Sequence, residues 1–157
     1  MPVKTAAQIA AVVLLAGCQP SSSSKSSPTP KQQIRLAISD WENAFERRDL
    51  AGVMSLYVPG KALIVYGPLP PAASYGHDTL RAEYERFFAR FDGPLESELD
   101  DLQIVASETI GFGHGIQSIT GRLKDGSAFR YSLRFSQGYR KVNGRWIVLH
   151  EHLSSAN

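Results

Sequence analysis

The chain has 157 residues, of which 43% are hydrophobic and 20% charged, and its formal net charge is +2. That length fits one domain rather than two, and the hydrophobic fraction excludes wholesale disorder. The balance of 17 basic against 15 acidic residues gives no electrostatic reason to expect nucleic acid as a partner, and a single cysteine excludes an intramolecular disulfide framework or a cysteine-rich zinc site.

The first segment of the chain is typical of a signal peptide. A short basic start, Met1–Lys4, precedes residues 5–16, which are small or apolar except for Gln8. These 12 residues are too few to span a hydrocarbon core of ~30 Å as a helix, but they match the apolar core of a signal peptide. We therefore predict that residues 1–17 are a signal peptide.

The sequence Leu-Ala-Gly-Cys at 15–18 resembles the lipobox of bacterial lipoproteins. The resemblance implies cleavage before Cys18, acylation of that cysteine, and a periplasm-facing protein of the bacterial cell envelope. Because Gln19 rather than Asp follows the cysteine, it implies retention in the outer membrane of a diderm bacterium. The alternative is a plain secretory signal with an incidental cysteine. The rest of residues 18–30, rich in Ser and Pro, is expected to be a solvated tether to a folded domain at 31–157.

Capping patterns predict the first two helices. Thr29 and Gln32 have the spacing of a capping box around a proline at the first helical position, and apolar residues then recur at helical spacing through about Arg48. Asp49 can cap a second, shorter helix that Pro59-Gly60 ends.

A short strand at 62–66 and a proline-rich loop at 67–76 lead into a third amphipathic helix, marked by apolar residues from Leu80 to Phe91. The acidic stretch 92–101 is expected to be a solvated turn.

Beyond that turn the hydrophobic period changes from 3.6 to 2, which predicts strands at 102–106, 109–123, 128–141 and 145–153. Asp125-Gly126 and Asn143-Gly144 are strong signals for two-residue hairpin turns, so the last three strands should be antiparallel neighbours. The predicted fold class is α+β, with three N-terminal helices packed on one face of a curved, mostly antiparallel sheet.

This order of elements resembles a known family. Residues 41–49, 75–77 and 143–154 are similar to segments of the SnoaL-like (polyketide-cyclase-like) branch of the nuclear transport factor 2-like, or ketosteroid isomerase-like, superfamily. The resemblance implies a cone-shaped domain with a central pocket and a homodimer formed through the outer face of the sheet. The superfamily includes isomerases, cyclases, hydrolases, dehydratases and proteins without activity, so the fold alone does not give the function.

Counting outward from the two turns predicts the register. It places Gln137 opposite both His114 and His150, and Phe135 opposite His152, on the face shared by the odd-numbered residues of the middle strand. A β-bulge would change this register. The predicted ligand pocket is therefore apolar with a polar row, and its candidate residues are Trp41, Tyr66, His114, Tyr131, Gln137, His150 and His152.

Three functions remain open. The first is binding of a small, mostly apolar or weakly anionic molecule. The second is general acid–base catalysis of the isomerase, cyclase or hydrolase type by His150 or His152, and the third is a non-catalytic interaction module. In the predicted register no carboxylate lies on the inner face, which argues against chemistry of the ketosteroid isomerase type. No cofactor or metal is expected. The outer face should carry Ile147, Leu149 and a Glu151 paired with an arginine at the dimer interface.

Overall fold

A computed structural model describes residues 27–68 and 72–156. The predicted signal peptide, Cys18 and most of the tether lie outside the described residues, as do residues 69–71 of the proline-rich loop. Within the two described ranges, no helix is long and apolar enough to cross a lipid bilayer.

The first two helices begin where the capping patterns predict. α1 spans Pro30–Glu46; the Thr29 hydroxyl accepts a hydrogen bond from the Gln32 backbone, and the Gln32 side chain accepts one from the Thr29 backbone. α2 spans Leu50–Met54, and the Asp49 carboxylate accepts from the Gly52 N–H at 3.0 Å. Both caps satisfy backbone donors that a helix start leaves unpaired.

The remaining elements form one sheet and a third helix. A turn of 3₁₀ helix lies at Gly60–Ala62, and α3 spans His77–Phe88. The strands are β1 (Ile64–Tyr66), β2 (Ala73–Tyr75), β3 (Glu96–Ala106), β4 (Ile110–Arg122), β5 (Ala128–Val142) and β6 (Arg145–Ser155), in the sheet order β2-β1-β6-β5-β4-β3. Among the strand pairs of the described residues, β1–β6 is parallel and the other four are antiparallel. The α+β class and the mostly antiparallel sheet are therefore confirmed.

Two strands lie where other structure was predicted. β2 forms at the end of the proline-rich loop, where it pairs with β1. β3 begins at Glu96, inside the stretch predicted to be an acidic turn. There the acidic side chains of Glu96 and Glu98 are exposed while Ser97 and Leu99 are half-buried. This alternation of exposed and half-buried residues is typical of a strand, but the many acidic residues led to the prediction of a turn.

The two hairpin turns differ in length. Asn143 and Gly144 both have positive φ, at 49° and 78°, and Val142 pairs with Arg145, so the predicted two-residue turn is confirmed. The earlier hairpin instead has a three-residue loop of Lys124, Asp125 and Gly126. The Leu123 N–H donates to the Ser127 carbonyl oxygen, the Leu123 carbonyl oxygen accepts from the Gly126 N–H, and Gly126 lies at φ 87°. The extra loop residue shifts the predicted β4–β5 register by one.

A β-bulge at Leu149 changes the register a second time. Val148 pairs with Tyr139, yet His150 pairs with Gly138, so Leu149 is an extra residue in β6. From that point the residues of β6 point to the face opposite to the predicted one. Glu151 thereby pairs with Gln137 and faces inward.

The hydrophobic core lies between the inner face of the sheet and helices α1 and α3. The odd-numbered residues of β5 face inward, as predicted. Glycine in β4 permits close approach of α1: a Cβ on Gly111 would lie only 2.4 Å from the Ile34 Cδ1 atom. The helix is thus held against one end of the sheet.

Candidate functional site

A cavity of about 590 Å³ lies between the inner face of the sheet and helices α1 and α3. Its walls are mainly apolar and aromatic, which is the usual form of a small-molecule site. Among the residues that line it are Trp41, Phe45, Val65, Leu80, Tyr84, Phe87, Gln117, Ile119, Phe129, Tyr131, Leu133, Glu151 and Leu153.

The Glu151 carboxyl group lies at the buried side of this cavity, with the residue only 3% exposed. Its two oxygens accept hydrogen bonds from different groups: Oε1 from the Gln137 amide, and Oε2 from the Tyr57 hydroxyl at 3.0 Å. Burial raises the pKa of Glu151 from 4.5 to about 6, while the two hydrogen bonds act in the opposite direction. Near neutral pH the group is therefore mostly ionised and still able to exchange a proton.

Tyrosine side chains surround the carboxylate. The Tyr139 hydroxyl donates to the Gln137 amide oxygen, which orients the amide nitrogen toward Glu151. The Tyr57 and Tyr84 hydroxyls lie 3.1 Å apart. Because Tyr57 has one hydroxyl hydrogen and uses it on Glu151, Tyr84 is the donor in that pair. Burial, followed by the nearby Glu151 charge, raises the pKa of Tyr57 and Tyr84 well above 10, so both remain protonated.

Three of the seven predicted pocket residues lie on the inner side of the sheet. Trp41 and Tyr131 line the cavity, and Gln137 is buried behind Glu151 as its hydrogen-bond partner. The Trp41 ring stacks on Phe45 with centroids 5.1 Å apart, and its indole N–H has no hydrogen-bond partner within residues 27–68 and 72–156.

The other four predicted residues lie on the outer face. His114, His150 and His152 are exposed, and so is Tyr66, whose ring lies 5.3 Å from that of His150 and 6.2 Å from that of His152. His114 and His152 both pair with Ser136 rather than with the inward residues predicted. The prediction that these histidines face the cavity is wrong, because the loop after β4 and the bulge in β6 each add one residue.

Glu151 is the functional candidate that the sequence reasoning placed wrongly, as an outer-face residue paired with an arginine. The signal for the bulge is present in the sequence: residues 146–149 are four consecutive apolar residues, which strict alternation does not produce. A break in alternation within such a run indicates an inserted residue, and every side chain beyond it changes face.

Charged side chains stand at the solvent-facing edge of the cavity. Arg86, in the last turn of α3, and Arg90, two residues beyond the end of that helix, line the cavity and are exposed, so they mark its rim. The Arg90 guanidinium carbon lies 5.5 Å from the centre of the Phe129 ring and 6.0 Å from that of Phe87. Glu83 is also at the cavity wall, and it accepts a hydrogen bond from the Ser74 hydroxyl.

The arrangement provides a proton acceptor in an apolar chamber rather than a set of metal ligands. No group of three His, Cys, Asp or Glu side chains in the described part of the chain is placed to hold a metal ion. A buried carboxylate with a pKa near 6 can remove a proton from a bound carbon acid and return it, which is the task of a general base.

A family model described as a SnoaL-like domain matches residues 34–157. No curated protein sequence matches the chain. A nuclear transport factor 2-like protein of unknown function from Pseudomonas putida KT2440 is 25% identical with a TM-score of 0.68, over 79% of this chain and 84% of that one.

Two further solved structures share the fold. A nuclear transport factor 2-like superfamily protein from Salmonella enterica serovar Typhimurium LT2 is 18% identical with a TM-score of 0.72, over 81% of this chain and 91% of that one. A ketosteroid isomerase-like protein from Erwinia carotovora atroseptica SCRI1043 is 22% identical with a TM-score of 0.67, over 81% and 96% of the two chains.

Proposed function

We propose that this chain, which belongs to the SnoaL-like domain family, binds a small, mostly apolar molecule in its central cavity and uses Glu151 there as a general base. One observation carries the proposal: a carboxylate that is 3% exposed, hydrogen-bonded at both oxygens, borders a mainly apolar cavity. Structural carboxylates are seldom buried without a cationic partner, because desolvation disfavours their charge. A raised pKa in a cavity is a feature of acid–base sites.

The reaction class follows from the surroundings of Glu151. The carboxylate would take a proton from a carbon next to an electron-withdrawing group such as a carbonyl, leaving the electron pair delocalised onto that group. Returning the proton to another carbon completes an isomerisation. With His150 and His152 on the outer face, Glu151 replaces them as the proposed acid–base residue. A structure named ketosteroid isomerase-like shares this fold, although fold alone does not assign the reaction.

Hydrogen–deuterium exchange tests the base directly. An apolar ketone, 2-acetylnaphthalene, is incubated with the protein in D₂O, and deuterium uptake beside the carbonyl is followed by NMR. We expect the wild-type protein to accelerate uptake and Glu151→Gln to lose about 100-fold or more of that acceleration, the usual contribution of a general base. Glu108→Gln, which changes an exposed turn carboxylate, is the matched control. Equal uptake with Glu151→Gln would refute the base, and binding without any uptake would favour a binding protein.

We also propose that the domain is held at a membrane through acylated Cys18. The support is the lipobox-like sequence at 15–18 and the Ser/Pro-rich segment that follows it. Cys18→Ser should move the protein from the membrane fraction to the soluble fraction or block its maturation. If the variant still sediments with membranes, the anchor is not this cysteine.

A homodimer through the outer face of the sheet is proposed as well. This face carries exposed apolar side chains, including Val105 at 69%, Ile110 at 54% and Phe112 at 45% exposure. Contiguous exposed apolar residues are typical of an interface. Phe112→Arg should shift the protein from dimer to monomer in analytical ultracentrifugation. A wild-type protein that is monomeric at high micromolar concentration would contradict the proposal.

A further inference from the structure

The rim of the cavity carries two cationic side chains, Arg86 and Arg90, with no acidic partner among the described residues. Within residues 27–68 and 72–156, neither the Arg86 nor the Arg90 guanidinium lies within 4.0 Å of a carboxylate oxygen; the ion pair found there joins His77 and Asp78. Both arginines line the cavity and reach solvent. An anion arriving at this rim would therefore not have to displace an existing carboxylate.

Packing holds one of these arginines in place. The Arg90 guanidinium lies 5.5 to 6.0 Å from the ring centres of Phe87, Phe91 and Phe129. A planar guanidinium lying against aromatic rings keeps its N–H groups free at the edge, where they can bind a carboxylate. Arg86 lies in the last turn of α3, four residues before Arg90, and lines the same cavity.

The charges at the two ends of the cavity differ in sign. Glu151 is buried at the inner end, while the arginines stand at the solvent-facing edge. Glu83 also borders the cavity, where its Oε1 atom accepts from the Ser74 hydroxyl on β2, and the two arginines outnumber this one carboxylate. A negatively charged group is therefore favoured at the rim and disfavoured beside Glu151, and the apolar walls between them suit an uncharged hydrocarbon body.

We propose that the ligand of this cavity is an apolar carboxylic acid, whose carboxylate binds Arg86 and Arg90 at the rim while its hydrocarbon body extends toward Glu151. The inference rests on the proposed function and specifies its substrate class. The inference also gives the orientation of the bound ligand: the reacting carbon lies at the end of the molecule distant from the carboxylate.

Two probes with matched skeletons test the proposal, 2-naphthylacetate and the neutral 2-(2-naphthyl)ethanol, with binding to the full-length chain followed by naphthalene fluorescence. We expect the acid to bind more tightly. Arg86→Gln and Arg90→Gln should each weaken binding of the acid about two- to fivefold, the effect of one exposed charge contact, and leave the alcohol unaffected. Added salt should reduce the preference of the wild-type protein for the acid.

Arg81→Gln is the matched control, because it removes the same charge from an exposed position of α3 outside the cavity lining. An acid that binds no more tightly than the alcohol would overturn the inference, and so would an equal loss with Arg81→Gln. If the alcohol binds and the acid does not, the cavity still binds apolar molecules, but the assignment of Arg86 and Arg90 as a carboxylate site is wrong. If neither probe binds, both the cavity and the rim assignment fail. Glu151→Gln should keep the preference for the acid while losing deuterium exchange, which separates the two proposals.

Discussion

Replacing Glu151 with glutamine should make the protein more stable while removing the proposed proton exchange with the ligand. The glutamine oxygen can accept from the Gln137 amide as the carboxylate does, and its amide nitrogen can donate to the Tyr57 oxygen. Tyr57 can then donate to Tyr84, which lies 3.1 Å away. The substitution therefore removes a buried charge without leaving a buried polar group unpaired.

The magnitude follows from the pKa of the carboxyl group. A rise from 4.5 to about 6 on folding corresponds to roughly 2 kcal/mol, since one pKa unit is worth about 1.4 kcal/mol. The folded state binds the Glu151 proton more tightly than the unfolded state does, and this sets the direction in which stability changes with pH. Glu151 therefore lowers wild-type stability as the pH rises from below 4.5 through about 6, and above that range its full cost is present.

Urea denaturation followed by circular dichroism measures this effect. The quantity of interest is the free energy of unfolding of Glu151→Gln minus that of the wild type. This difference should grow by about 2 kcal/mol as the pH is raised from about 4 to about 8. Other carboxyl groups contribute equally to both proteins and cancel in the difference. Glu108→Gln should show no such increase. A difference that stays constant with pH, or that decreases as the pH rises, would refute the reasoning about the buried charge.

Three further outcomes are expected. Gln137→Leu removes a hydrogen bond that lowers the pKa of Glu151, so that pKa should rise above 6 in a carboxyl ¹³C NMR titration; an unchanged or lower value would contradict the role of the amide. His152→Gln should leave deuterium exchange into 2-acetylnaphthalene unchanged, because the imidazole is on the outer face; a large loss of exchange would return that histidine to the site. Gly111→Ala should destabilise the domain by about 1–3 kcal/mol in urea, because its Cβ would overlap the α1 side chain beneath it, whereas Gly138→Ala, with its nearest atom 4.0 Å away, should be nearly neutral; equal effects would show that the contact does not matter.

Local features of this fold could be predicted because each depends on a few neighbouring residues. The capping box at Thr29 and Gln32 and the turn at Asn143-Gly144 lie where the sequence indicates. The inner face of β5 was also predicted correctly, since alternation within one strand is independent of its neighbours. Helix starts, the Asn143-Gly144 turn and the facing of a single strand are thus within reach of a single sequence.

The site could not be predicted, because it depends on residue counts between strands. One additional residue in the loop at Lys124–Gly126 and one at Leu149 were enough to move His114, His150 and His152 out of the predicted site. The energetic difference between a two-residue and a three-residue hairpin loop is small, and both are common. What decides between them here is the packing of whole faces, which favours the register that buries the apolar set.

The bulge at Leu149 has an evolutionary consequence. Deleting this one residue would restore strict pairing beyond Val148, turn the two histidines inward and carry Glu151 to the surface. A carboxylate site and an imidazole site are therefore separated by a single codon gained or lost, with no substitution at any chemically active position. Two homologues could share the sequence His-Glu-His at this place and still present different groups to their ligands. A comparison of this strand between relatives must therefore first establish whether each relative has the extra residue at the position of Leu149. Only then does the identity of a residue show which side chain faces the cavity.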